Sequence, residues 1–376
     1  MLASACVTVV CAAGASAGAP NYRFAVNARD VALAKRIATI KGDLPAAGLK
    51  GGLTKPDRSP DTSTCAGQPR DNLSGLTVSG DAAARYELPG AILYDQVQLL
   101  AKPAMTEADW ERNHPRSGSL ACFGREMVKA MHKTGARLVR AALLPIPELG
   151  DHQYAVRAVV TWPGAVRPVL FDVVSVSTGR VEYSLMTAAA DGGRVDEAAL
   201  LQGELRVLLG LEARSLDLVA SAARGPATRI DGTFSTSDRV AAVVHVLGLG
   251  HVYSQPWVFV PLCTSGSCET TMAHPSLDHP GTTFRAMFEP AGANTYRARY
   301  QKHSDCTIVR PDGSSSTLPN QWFDQMFVTL HVNVGPDGNA TGYSGTRLIR
   351  STPLAGARAQ GCTIVSYQLD EIRGVR

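Results

Sequence analysis

The chain has 376 residues, 45% of them hydrophobic, with 37 Lys and Arg against 33 Asp and Glu for a formal charge of +4. Single cores stop growing near ~250–300 residues, so this length predicts about two domains. The basic residues are scattered with no run longer than a pair, which excludes the concentrated positive stripe of a nucleic-acid binder. The 35 glycines and 22 prolines are spread along the chain and describe a loop-rich globular protein, not a low-complexity one.

In chain order, Leu2 to Ala19 carry no charge and are mostly small or apolar. Ala15-Ser16-Ala17 supplies the small-x-small pattern that precedes a cleavage site, so residues 1–17 read as a signal peptide. No Lys or Arg precedes the apolar stretch, which departs from the usual leader. No other segment approaches the ~18–20 apolar residues of a membrane-spanning helix, and no span is expected in the mature chain. Removing the leader removes Cys6 and Cys11 and leaves Cys65, Cys122, Cys263, Cys268, Cys306 and Cys362. An even set in an exported chain predicts disulfides, with 15 pairings open in principle. Cys65 and Cys122 lie in the first half and are expected to pair, leaving two bridges downstream.

Asn27 to Lys41 reads as a helix, with Asn27 as cap, Asp30 three residues on, Val31, Ala34, Ile37 and Ile40 on one face, and Gly42 as stop. Leu44 to Asp71 is rich in Gly, Pro, Ser and Asp and reads as a loop pinned by Cys65. Ala91 to Leu99 has strand character. Thr106-Glu107-Ala108-Asp109 reads as a capping box opening a short helix. Ser119 to Thr134 predicts a stronger helix, with Leu120, Phe123, Met127 and Met131 on one face and Gly135 at its end. Four strand-like runs follow, Arg137–Leu144, Tyr154–Trp162, Val166–Val176 and Val181–Met186, joined by turns short enough for antiparallel neighbours. Asp191 to Leu211 closes the first half as a helix extending toward Ala222. Arg224-Gly225-Pro226 marks the boundary between domains at 25–223 and 228–376.

The second half changes period. Short strands are expected at 230–247, 256–262, 268–273, 283–288, 295–302, 305–310, 325–334, 341–349 and 362–370. Met326, Val328, Leu330, Val332 and Val334 alternate with Phe327, Thr329, His331 and Asn333, the period of a strand with one face in a core. Many short strands point to a sandwich or barrel. The fold class is therefore an α+β N-terminal domain, an antiparallel sheet with helices, followed by an all-β C-terminal domain with disulfides.

Catalytic signatures are sparse. The nine histidines include no His-Glu-x-x-His. His274 and His279 flank a loop and could meet Asp278 or His331 in space. Gly342-Tyr343-Ser344-Gly345 falls one residue short of the Gly-x-Ser-x-Gly elbow. Gly248-Leu249-Gly250 lacks the third glycine of a dinucleotide fingerprint, and no P-loop or calcium loop is present. Cys263 and Cys268 flank four residues, the length of a hairpin loop, where opposed Cα atoms stand ~4.5–5.5 Å apart and suit a disulfide. A Cys263–Cys268 ring is worth roughly 2 kcal/mol and a Cys306–Cys362 ring roughly 4. The rival, a zinc site using His303, fits no usual spacing. Trp257 and Phe259 share a strand face. Packing in a core is the plain reading, and a barrel mouth facing an apolar ligand is the other.

The first half, with its helix, Asp43-Leu44-Pro45, cysteine loop, cysteine-bearing helix, four-strand meander and closing helix, resembles exported α+β sandwich domains of actinobacteria. These include receptor-kinase sensor domains and lipoproteins with a PsbP-like fold. The resemblance covers residues 25–215 and implies a cleft without catalytic apparatus. The second half is similar to exported β domains carrying a Trp-x-Phe-x-Pro-x-Cys strand, here Trp257, Phe259, Pro261 and Cys263, with Gly266, Cys268, Cys306 and Cys362 completing the pattern. Together these readings predict an extracellular or cell-envelope protein that binds or senses an envelope ligand or protein without catalysis or cofactor. A secreted hydrolase with an unrecognised site and a purely structural envelope protein are the alternatives.

Overall fold

A computed structural model describes residues 22–376 except 45–48, 59–74, 114–119, 121–123, 125–134, 163–167, 191–196, 219–227, 245–247, 265–267, 277–280, 293, 310–313, 337–338 and 363–364. Cys65, Cys122, the leader and most of the helix expected over 119–134 lie outside the described residues. The chain divides into two compact units, Met1–Val219 and Ala220–Arg376.

The first unit is built on a sheet of eight strands: β1 Arg23–Phe24, β2 Lys50–Thr54, β3 Thr77–Leu88, β4 Ala91–Leu100, β5 Arg137–Leu143, β6 His152–Thr161, β7 Val169–Thr178 and β8 Val181–Ala190. Their order is β1-β3-β4-β8-β7-β6-β5, with β2 also on β3. Because β1 runs parallel to β3, the sheet is mixed, not purely antiparallel as the short turns predict. Strand β2 falls inside the expected loop. It pairs with β3 so closely that a Cβ at Gly51 would stand 2.0 Å from the Arg85 carbonyl oxygen, a glycine-dependent contact that composition reads as coil. Strand β3 has no counterpart among the predicted elements. Its Ala82, Ala83 and Ala84 are buried but lack the β-branched signature of a strand.

Helix α1, Ala28–Ile37, starts where predicted, with Asn27 Oδ1 accepting the Asp30 amide at 2.9 Å. It lies directly on β3, where a Cβ on Gly80 would come within 2.3 Å of the Asp30 backbone. It ends four residues earlier than Gly42 implies, because the Ile37 carbonyl accepts from Arg214 at 2.8 Å instead of continuing the helix. Helix α2, Pro103–Asn113, begins before Thr106 and so corrects the capping-box reading. Proline suits a first helical position, since its missing N–H has no partner there. Helix α3, Glu197–Leu218, runs past Leu211 and is pinned by Arg214 to Asp43 at 2.8 Å.

The second unit is a closed eight-stranded barrel: β9 Gly232–Val244, β10 Val252–Pro261, β11 Thr270–Pro275, β12 Thr283–Gly292, β13 Thr295–Val309, β14 Ser315–Val334, β15 Ala340–Pro353 and β16 Ser366–Val375. Each strand pairs antiparallel with the next in sequence, and β16 returns to β9. Closure leaves no free edge. The strands expected at 295–302 and 305–310 are one strand, β13, with a register shift between Ser304 and Cys306. The alternation read in β14 holds for Met326, Val328, Leu330 and Val332, which are buried. Val334 is exposed beyond a register shift at Asn333. A short helix α4, Ala355–Arg358, precedes β16.

One end of the barrel is filled by rings. Phe234, Trp257, Phe259, Phe288, Tyr296 and Tyr343 are all at most 1% exposed and pack with Met272, Leu330 and Ile372. Phe259 meets Phe234 at 84° and Phe288 at 67°, both at 5.7 Å, the edge-to-face geometry that aromatic quadrupoles favour. Tyr343 lies across Gly374, where a Cβ would meet its ring at 2.2 Å. Cys263 pairs with Cys268 across the β10–β11 turn, and Cys306 pairs with Cys362, with Cα separations of 6.1 and 6.4 Å inside the disulfide range. The second bridge is packed among Ile308, Leu318, Trp322, Leu354 and Ala357.

Candidate functional site in the barrel interior

Along each barrel strand alternate residues face inward, and beyond the rings these become polar. Arg347 of β15 stands between two carboxylates. Its Nε donates to Asp370 Oδ2 at 2.9 Å, and its Nη2 lies 2.7 Å from that oxygen and 3.1 Å from Asp238 Oδ2. Asp238 and Asp370 are at most 1% exposed. Burial alone would lower the basicity of Arg347, but Asp370 and Asp238 outweigh it and hold the guanidinium firmly charged. Tyr300 of β13 hydrogen-bonds Arg347, while burial raises its phenol pKa.

The two carboxylates are not equivalent. Asp370 has a donor on each oxygen, with Gln368 Nε2 reaching Oδ1 at 2.8 Å. Asp238 has only the ion pair, and neither of its oxygens receives an aligned hydrogen bond. Burial accordingly pushes the Asp238 carboxyl above its ordinary pKa, partly offset by Arg347. Gln255, diagonal to Asp238 across the β9–β10 pair and 7% exposed, has no partner on either amide atom. The Trp257 indole N–H is also without a partner. Buried polar groups left unpaired cost about 1–3 kcal/mol each, so a layer holding several is set up to receive hydrogen bonds from elsewhere.

On the β11–β12–β13 side the inward residues His274, Phe284, Tyr300 and Lys302 are only half-buried. The His274 ring stacks on Trp257 at 5.6 Å and 14°, and Phe284 bridges it to Tyr300 with centroid distances of 5.0 and 4.5 Å. Burial depresses the His274 pKa, with Arg347 and Lys302 adding repulsion. Lys302 stands opposite buried Asp324 in the β13–β14 register.

Trp257 and Phe259 therefore sit inside the barrel wall within the aromatic cluster, and Trp257 alone borders the polar layer through His274. His274 and His331 do not meet. His274 faces inward, whereas His331 is exposed on the outer face beside Thr295 Oγ1 at 3.2 Å. Asp278, His279 and Gly266 lie outside the described residues. Ser344 stands across from His331 in register, also exposed, in mid-strand and not on a strand-to-helix elbow. Sequence reasoning missed Asp238, Gln255, Arg347 and Asp370. Alternation in β9 and β15 places polar residues on inward positions, and this was the available signal.

The first unit holds a second set of buried charges, several of them ion-paired across its core. Arg157 donates to Asp172 at 2.7 Å, and Arg180 pairs with Asp30 at 2.7 Å. Glu204 of α3 is raised well above the carboxylate range by burial and then by the neighbouring Asp172. An open depression beside Lys55, Pro56, Asp57 and Arg58 marks the sheet's other side, where Arg58 is tied to Asp81 at 2.6 Å. Comparison of the chain with protein-family models, curated proteins and solved structures produced no match.

Proposed function

We propose that this chain is an exported, non-catalytic binding or sensing protein of the cell envelope, and that the polar layer of its barrel receives a small ligand. The observation that carries this reading is the pair Asp238 and Gln255. Both are more than nine-tenths buried inside a closed barrel; Asp238 has only its ion pair with Arg347, and Gln255 has no hydrogen-bond partner on either amide atom. Barrels of eight strands have an interior wide enough for packed side chains or one small ligand. Here one end is packed with rings and the layer next to them carries polar side chains. Two disulfides in the barrel fit an oxidising compartment. The outer wall carries Arg239, Arg285, Glu289, Arg299 and Glu371, charges that are costly against lipid and at ease in water. The first unit, in this reading, is the sensor-like α+β domain that its element order resembles.

A thermal-shift screen of the oxidised full-length chain tests the proposal with small neutral, anionic and cationic compounds. A ligand at about 100 times its Kd adds about 2.7 kcal/mol, which is a rise of roughly 5–10 °C for a unit of this size. At least one chemical class should produce such a rise, and Asp238→Asn or Gln255→Leu should diminish it. No stabilisation by any class would leave the barrel a structural module.

A further inference from the structure

We infer that the ligand of the polar layer is a small primary ammonium ion, received by the Asp238 carboxylate and flanked by Gln255 and the Trp257–His274 ring pair. The inference rests on the small-ligand reading above and names its chemistry. Charge is the first argument. The inward ionisable residues are Asp238, Asp324 and Asp370 against Arg347 and Lys302, so three carboxylates face two cations and one negative charge remains. Asp370 is bonded by Arg347 and Gln368, Asp324 stands opposite Lys302 in register with its Oδ1 unpartnered, and Asp238 shares Arg347 at 3.1 Å, so the excess lies on Asp238 and Asp324, of which Asp238 has the unpartnered Gln255 beside it.

Hydrogen-bond capacity is the second argument. An ionised carboxylate only accepts, so Asp238 Oδ1, which has no partner, and Oδ2, which has only the Arg347 ion pair at 3.1 Å, ask for donors. An ammonium group brings three donors and the missing charge. An anion would be repelled, and a neutral amide could supply donors but not the charge. The Gln255 carbonyl oxygen, also unpartnered, offers an acceptor for a further N–H. Phe284 and Tyr300 stand at the half-buried side, and a cation over a ring face gains about 0.5–2 kcal/mol.

Isothermal titration of the oxidised full-length protein with n-butylammonium chloride tests this, with n-butyramide and sodium butyrate as isosteric controls at equal ionic strength. Butylammonium should bind and the two controls should not. Asp238→Asn should weaken it at least tenfold, whereas Glu289→Gln on the outer wall should leave it unchanged. Groups facing Asp238 are Arg347, Asp370, Tyr300 and Tyr343, with His274 and Lys302 at the open side. Affinity should therefore rise with pH as Asp238 ionises, and the rise should persist in His274→Gln, which keeps the proposal testable should Asp238→Asn misfold. Equal binding by Asp238→Asn, or a flat pH profile, overturns the inference. Binding of butyramide or butyrate in place of the cation overturns the ammonium assignment and leaves the small-ligand reading standing. Binding by none of the three, together with a silent thermal-shift screen, overturns both.

Discussion

Arg347 has two carboxylates as partners, and its removal strands both. Breaking a buried charge network by deleting one member costs about 3–5 kcal/mol, because the remaining charges stay buried and uncompensated. Arg347→Met should therefore lower stability by that order at pH 7 in urea unfolding. The loss should shrink as pH falls and Asp238, whose pKa burial raises, takes up a proton. A variant as stable as the parent at pH 7 would contradict the buried ion-pair account. Little of this was legible in the sequence. Asp238, Arg347 and Asp370 lie on three strands, β9, β15 and β16, and become neighbours only when β16 closes on β9. Trp257 and Phe259 were legible as one face of one strand because alternation is local. What that face meets depends on closure.

Among the elements, the disulfides divide the labour unequally. Cys263–Cys268 spans a separation of 5 residues and Cys306–Cys362 one of 56. Loop-closure entropy then assigns about 2 and about 4 kcal/mol. Replacing Cys306 and Cys362 by alanine should lower the denaturation midpoint about twice as far as replacing Cys263 and Cys268, an ordering readable in one set of urea curves. The reverse ordering would place the barrel's weak point at the β10–β11 turn. Elements with a local cause were readable before folding. Asn27 caps α1 because its side chain reaches an amide three residues on. Strand β3 was hidden because its alanines are strand-like only through pairing with β2 and β4. The break between 302 and 305 looked like a turn because polar His303, Ser304 and Asp305 interrupt the alternation, and a register shift inside β13 accommodates them.

At the scale of the whole molecule, the first unit stores pH dependence. Asp95 is fully buried, with Oδ2 accepting from the Thr39 amide at 3.2 Å and Oδ1 unpartnered, and burial pushes its carboxyl up to about 7. The fold thus keeps a proton that the unfolded chain releases above ~4. Its contribution is full at low pH and is lost as pH rises through about 7, at up to ~1.4 kcal/mol per pH unit. Glu204 acts in the same direction, raised first by burial and then by Asp172. Asp30, held below the carboxylate range chiefly by its hydrogen bond with Arg180, acts oppositely and is felt only as pH falls below ~4. Asp95→Asn should flatten the decline in the first unit's melting temperature between pH 4.5 and 7.5. An unchanged slope would remove Asp95 from the account.

The two-unit division was visible as a change of period near Arg224, and the β-rich class of the second half as repeated short strands. Barrel closure was not visible, since nothing local distinguishes a barrel from a sandwich. The central claim is that this barrel works oxidised, outside the reducing cytoplasm. It is tested most directly by alkylating the folded protein before and after reduction and mapping the labelled cysteines. The account predicts that Cys263, Cys268, Cys306 and Cys362 are labelled only after reduction, with 263 linked to 268 and 306 to 362. Four free thiols in the folded protein recovered under oxidising conditions would contradict it.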